Sequence, residues 1–260
     1  MADTIHAIEV AGLFKTLSGR PVLRGVEMTV PTGRIAALSG SNGAGKTTLL
    51  KCIAGLIRPQ CGEVRWFGRP AAAAVASRRL VGMVSHETAL YPHLSLRENL
   101  RFAARLGGLS EPCHQADDWL ERLELSACAN GLPLQVSRGM RQRLAVARAL
   151  IHAPSILLLD EPFSGLDGDG SAWLAALLRQ LRGQGCAICL VSHDPEKTRQ
   201  LADLVYHLHG GRTYQTDLAG EPPTSAGLPA ARAALAPKSV FHPCSIRGEV
   251  IDGLFGGSPV

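Results

Sequence analysis

Long apolar runs are missing from this 260-residue chain. None reaches the roughly 18 residues that a helix needs to cross a bilayer. Residues 1–10 carry acidic groups and no extended apolar stretch, which excludes a secretory signal there. The expectation is a chain that stays in the cytosol unless a partner recruits it. The 7 cysteines form no pair-of-pairs spacing of the kind that binds zinc. Cys186 and Cys189 have redox-motif spacing but lie in an apolar run, so they read as core packing in a reduced compartment. There is no internal repeat. There is also no concentrated block of one charge: the net charge of +5 comes mainly from Arg spread along the sequence. That pattern reads as a solvated basic surface, and no nucleic-acid partner is expected.

What is present is ordinary globular composition, 46% hydrophobic and 19% charged, enough for one large domain or two small ones. Short β-like runs at Ile5–Val10 and Val26–Val30 flank a turn at Ser18–Pro21. Arg34–Ser39 reads as a strand, Lys46–Leu56 as a helix, and Glu63–Phe67 and Leu80–Ser85 as further strands. Residues 95–152 are helical in pattern, with a capping box at Ser95 and Glu98 and amphipathic stretches at Asp117–Leu125 and Met140–Ile151. Ile156–Leu159 and Cys186–Val191 have the unbroken apolar character of buried parallel strands. Ser171–Arg182 and Pro195–Ala202 read as helices. The expected fold is α/β with a mainly parallel sheet, an N-terminal antiparallel β part and an inserted helical subdomain at about 95–152. Composition shifts to Ala, Pro, Gly and Ser near residue 217, so 217–260 is expected to be a poorly ordered extension of a 1–216 domain.

The most specific local pattern is Gly40-Ser41-Asn42-Gly43-Ala44-Gly45-Lys46-Thr47, with Thr48 next, between a predicted strand and a predicted helix. Glycines let backbone N–H groups turn inward and approach phosphate closely. The helix N-terminus adds a positive dipole end. Lys46 supplies a point charge for the β- and γ-phosphates, and the Thr47 hydroxyl suits Mg²⁺. Asp160 ends an apolar strand, where ligands of open α/β sheets bind, and is a second candidate Mg²⁺ ligand. Adjacent strand residues point to opposite sides, so the neighbouring Glu161 is the candidate for polarising an attacking water.

Further segments line up in order along the chain. Val136-Ser137-Arg138-Gly139-Met140 with Gln142-Arg143 resembles the LSGGQ signature of ABC ATPases, with Arg138 and Met140 departing from it. Ser164-Gly165-Leu166-Asp167 resembles the D-loop, Val191-Ser192-His193 the switch histidine, and Val81–Leu100 the Q-loop with its C-terminal flank. The resemblance spans roughly 5–216. It implies a P-loop ATPase that closes head to tail with a second copy or a paralogue, MgATP lying between the phosphate loop of one and Ser137 and Gly139 of the other. It also implies that Lys46, Glu161 and His193 are catalytic, with His193 sensing the γ-phosphate.

Two departures bear on that resemblance. The aromatic that stacks on adenine in many relatives falls near Leu17; either Phe14 substitutes or the base rests on an aliphatic side chain. The Q-loop glutamine position holds His86 or, in the preferred register, Glu87, which could still reach the metal through a carboxylate oxygen. The run 41–45, Ser85-His86, Tyr91-Pro92-His93-Leu94 and 137–140 together resemble the ATPase of haem exporters for cytochrome c maturation. The implied partner is a separate membrane permease, meeting the chain near residues 86–98 on the inner face of the cell membrane. Alternatives are a drug or lipid exporter, a soluble ABC ATPase of an assembly process, and a weakened ATPase serving as a nucleotide-gated scaffold.

Overall fold

The computed structural model describes residues 6–71, 79–85 and 88–216. Glu87, expected to reach the metal, His86, the other candidate for the Q-loop glutamine position, and the expected extension 217–260 lie outside the described residues. Two sheets organise the rest. The first joins β1 (His6–Leu17), β2 (Arg20–Pro31), β4 (Cys61–Trp66) and β5 (Arg69–Pro70) in the order β2-β1-β4-β5, all antiparallel. The second joins β3 (Ile35–Ser39), β6 (Val81–Val84), β7 (Ile156–Asp160), β8 (Ala187–Val191), β9 (Leu204–His209) and β10 (Arg212–Thr216) in the order β10-β9-β3-β8-β7-β6. Every neighbouring pair in it is parallel except the β9–β10 hairpin.

β7 and β8 are buried along their whole length, because both faces of the parallel sheet are covered. Alternation along each strand divides its residues between two cores. Ala36, Leu38, Leu158, Cys189 and Val191 join the core that contains Leu49, Leu50 and Ile53 of α1 (Lys46–Ile53). Ile35, Leu157, Leu159, Ile188 and Leu190 face Val146 of α4 (Arg138–Leu150) and Leu174 and Leu178 of α5 (Gly168–Gly183). A third core holds Leu96, Leu100, Ala116 and Leu120 from α2 (Leu96–Leu106) and α3 (Pro112–Arg122), together with Leu144 and Ala147 of α4. α4 therefore contributes to both the sheet core and the helical core. The last helix, α6 (Pro195–Leu201), comes after β8.

Several boundaries differ from the sequence reading for local reasons. β1 runs on to Leu17 through a register shift between Val10 and Leu13, where Gly12 takes a positive φ. α1 stops at Ile53, before the expected Leu56, because Gly55 turns left-handed and Trp66 Nε1 donates to the Ile53 carbonyl at 3.0 Å. α3 starts at Pro112 rather than Asp117, proline being suited to the first turn. The Ser95–Glu98 capping box forms in both directions. Its hydrogen bonds from Ser95 hold the Glu98 carboxyl below the usual range.

Cys186 and Cys189 are packed in the core, and burial pushes their thiols up to about 11 and about 12 respectively. Neither forms thiolate near neutral pH, and thiolate is the reactive species. Iodoacetamide at near-neutral pH is therefore expected to label exposed Cys113 in the native protein and to reach Cys186 and Cys189 only after denaturation, as read by peptide mass spectrometry.

Candidate functional site

β3 carries the chain to Ser39 at the carboxyl edge of the parallel sheet, and residues 40–45 turn it back into α1. Two glycines make that turn possible. Gly40 has φ +146°, and a Cβ there would lie 2.5 Å from the Leu208 carbonyl oxygen. Gly45 has φ +105°, and a Cβ there would lie 2.6 Å from Val22 Cγ1. The start of α1 has no side-chain cap at Gly45 and no acidic residue in its first turn, so its dipole end is not neutralised locally. Lys46 is buried, and its Nζ donates to the carbonyls of Gly40 at 2.8 Å and Ser41 at 3.0 Å. It sits across the mouth of the loop formed by Gly40, Ser41, Asn42, Gly43, Ala44 and Gly45.

The acidic side of the site comes from β7. Asp160, 2% exposed, accepts a hydrogen bond from Thr47 Oγ1 at 2.7 Å. This joins the end of one strand to the start of the helix after another. Glu161 then leaves the strand with φ +54°, an uncommon conformation for a non-glycine residue. Its backbone N–H donates to Val191 O at 3.0 Å, and its Oε2 accepts from the His193 N–H at 3.3 Å. Oε1 is buried without a hydrogen bond and lies 3.3 Å from His193 Nε2. The His193 ring is about half-exposed. Two of the three residues expected to be catalytic, Glu161 and His193, are thus brought together.

These groups surround one open cavity of about 580 Å³. Lys46, Thr47, buried Thr48, Asp160, Glu161 and His193 all line it, as do Asn42, Gly43 and Gly45. The positive helix end and Lys46 face the two carboxylates, an arrangement that can hold a polyphosphate together with a cation. Thr47 and Asp160 offer two hard oxygen donors, the few protein ligands Mg²⁺ takes when phosphate oxygens complete its octahedron. The donor set therefore fits that ion.

Leu17, Val22 and Val191 supply the aliphatic part of the lining. Phe14, one of the two candidates for the adenine wall, does not line the cavity, which corrects that expectation. It stands three residues back along β1, and its ring packs against Gly25, where a Cβ would meet it at 3.3 Å. Ser137 caps α4 by accepting from the Met140 N–H at 3.2 Å, and neither it nor Gly139 lines the cavity of its own chain. Three wall residues escape a reading of the sequence. Val22 arrives from the antiparallel sheet with no local signal, and Val191 belongs to the segment resembling the switch histidine, a resemblance that does not place it on the wall. Ser164 carries a signal, the D-loop resemblance, but not its place on the wall. Behind the loop, His207 Nδ1 lies 3.1 Å from Ser39 Oγ, and burial, then His209 and Lys46, hold this imidazole below its usual range.

Gly45→Ala is expected to strain the loop and push Val22 outward. The left-handed backbone alone costs about 1–2 kcal/mol. A lowered melting temperature and lost nucleotide binding, measured by calorimetry, would register both effects.

Comparison with known proteins places this geometry in context. The model of the ABC transporter family matches residues 23–164. The chain is 35% identical over 216 residues to the sulfate/thiosulfate import ATP-binding protein CysA of Synechococcus elongatus, covering 82% of this chain and 63% of that protein. It is 38% identical over 213 residues to the protein of the same name from Mycobacterium tuberculosis, covering 81% and 61%. The chain thus spans less than two thirds of the length of these relatives. Among solved structures it resembles the ATP binding subunit of an ABC transporter, with TM-score 0.75 and 31% identity over 81% of this chain and 90% of that one. It also resembles a dimeric ATP-binding cassette in a post-hydrolysis state bound to ADP and Pi, with TM-score 0.75 and 28% identity over 82% and 100%.

Proposed function

The chain belongs to the ABC transporter family, and from that premise we propose that it binds and hydrolyses ATP to drive a separate membrane permease. The observation that carries this reading is the single cavity in which the phosphate loop meets Asp160, Glu161 and His193, with Thr47 and Asp160 bonded at 2.7 Å. In this reading residues 1–216 form the ATPase domain, with the helical insert at about 95–152. The loop amides from Gly40 to Thr48 and the Lys46 ammonium hold the phosphates. Thr47 and Asp160 hold Mg²⁺, which when bound offsets the negative charge of the β- and γ-phosphates. Glu161 takes a proton from the attacking water on Oε1, the oxygen that makes no hydrogen bond. His193 orients the γ-phosphate. Water oxygen bonds to the γ-phosphorus, the bond to the β–γ bridging oxygen breaks, and ADP leaves with phosphate as the second product.

Ser137 and Gly139 lie off their own chain's cavity, so in this proposal they complete the cavity of a second copy or a paralogue. The α4 N-terminus then adds donors to the γ-phosphate from the far side. A dimeric relative holding ADP and Pi supports the arrangement. Among the described residues no helix is long and apolar enough to cross a membrane, so in this reading the transmembrane path is the permease's. The chain would then work at the inner face of the membrane. The haem-export reading finds no support among these relatives, which are named for sulfate/thiosulfate import. Import of such an oxyanion is the finer reading carried forward. Cargo choice belongs to the permease, and co-purification from solubilised membranes tests this: a soluble complex in place of a permease would redirect the function to an assembly process.

Glu161→Gln is expected to retain MgATP binding while slowing turnover about 10²- to 10⁴-fold, the usual size of a general-base contribution. Lys46→Ala should weaken binding itself. Phosphate-release and fluorescent-nucleotide assays separate the two, and wild-type behaviour in both variants would defeat the reading. Leu17→Tyr supplies a ring to the aliphatic wall. Base stacking contributes about 1–3 kcal/mol, so titration calorimetry should show ATP binding at least about fivefold tighter.

A further inference from the structure

Arg138 stands where the resembled signature has glycine, at the first position of α4. A cation in the first turn opposes the helix dipole. The side chain leaves that end instead: Nη2 donates to Ser164 Oγ at 2.7 Å. Its stem covers Gly165, which has φ +80°, and a Cβ on Gly165 would lie 2.5 Å from Arg138 Nε. One turn along α4, buried Gln142 donates to the Pro162 carbonyl at 2.9 Å. Residues four apart share a helix face, so one face of α4 grips the segment 162–165 at two points. That segment is joined directly to Glu161, and Ser164 lines the cavity beside Asp160, Glu161 and His193.

We propose that Arg138 is a positioning residue that ties the helix end docking on one nucleotide to the wall of its own subunit's cavity. The proposal rests on the reading in which Ser137 and Gly139 complete a neighbour's site. When that neighbour's γ-phosphate fixes the start of α4, the Arg138–Ser164 bond fixes residues 162–165 and the Glu161 next to them. Occupancy of one site then favours closure of the other without any contact between the nucleotides. A planar guanidinium suits the task, since one side chain both covers Gly165 and reaches the hydroxyl.

The test reads ATP-driven dimerisation of the Glu161→Gln protein by light scattering. Adding Arg138→Ala should raise the ATP concentration at half-dimerisation about tenfold, within the usual range of coupling between sites. Ser164→Ala should do the same, and the double substitution should be no worse than either alone. Affinity of the Arg138→Ala monomer for a fluorescent ATP analogue should stay within about twofold, because Arg138 does not line its own chain's cavity; a purely structural role would lower it in parallel. In the hydrolysing protein Arg138→Ala should lower kcat and flatten the ATP dependence. An unshifted midpoint, or effects of Arg138→Ala and Ser164→Ala that multiply, would overturn the proposal while leaving the shared site intact. A Glu161→Gln protein that stays monomeric in saturating ATP would remove the shared-site reading and this proposal with it.

Discussion

The hydrogen bond from Thr47 to Asp160 fixes the spacing on which everything else at the site depends. Thr47 is in the first turn of α1, and Asp160 ends β7, which is not a neighbour of β3 in the sheet. β8 lies between them, and its register with both strands sets how far apart their ends are. The two oxygens are thus held by parallel pairing through a strand that contributes mainly buried apolar residues. This explains how a site made of loop and strand-end residues can be rigid. Its polar groups are few, but each sits where a buried strand or helix leaves the core.

That arrangement also decides what can be read from the sequence. The phosphate loop is local: eight consecutive residues contain the turn, the cation and the hydroxyl, so composition and order suffice. Buried strands announce themselves because both faces must be apolar, as Ile156–Asp160 shows. The Ser95–Glu98 box is equally local. By contrast Val22 reaches the cavity only because the antiparallel sheet lies over the loop, where it touches the space Gly45 lacks a side chain to fill. Neither residue carries a mark of the other. Phe14 is an aromatic near the right position in sequence, but the cavity is lined instead by Leu17, beyond a register shift between Lys15 and Thr16, so the aliphatic alternative fits. Helix ends depart from the apolar periodicity wherever a cap outweighs it, as at Gly55 and Pro112.

α4 carries a heavier share of the structure than its length suggests. Ala145, Val146, Ala149 and Leu150 pack on the sheet side, while Leu144, Ala147 and Ile151 pack with α2 and α3. Its N-terminal end binds the segment beside the proposed catalytic carboxylate through Arg138 and Gln142. A displacement of the helical part must therefore move the start of α4, and with it the cavity wall. In a protein whose proposed partner docks near residues 86–98, this gives mechanical force a short path. Tyr91 in that region packs edge-to-face on Phe102 of α2 at 5.1 Å, under the Arg148 guanidinium of α4.

The energetics of the cavity depend on which walls are charged. The end with the phosphate loop combines a helix dipole, an ammonium, the Thr47 and Asp160 oxygens that suit a divalent ion, and the Glu161 carboxylate, and these interactions gain strength where water is excluded. The proposed base end offers Leu17 and Val22, which contribute burial of about 25 cal/mol per Å² and no direction. In the proposed reading affinity then comes from the triphosphate, and discrimination between purine bases is small. In the proposed reading a nucleoside diphosphate keeps the base contacts but loses the γ-phosphate assigned to His193 and to a second chain's α4. The difference between the two nucleotides is therefore concentrated at the γ-phosphate, where closure and opening are decided. The transport ATPase proposed above needs this division: weak commitment to the base, strong commitment to the bond that is broken.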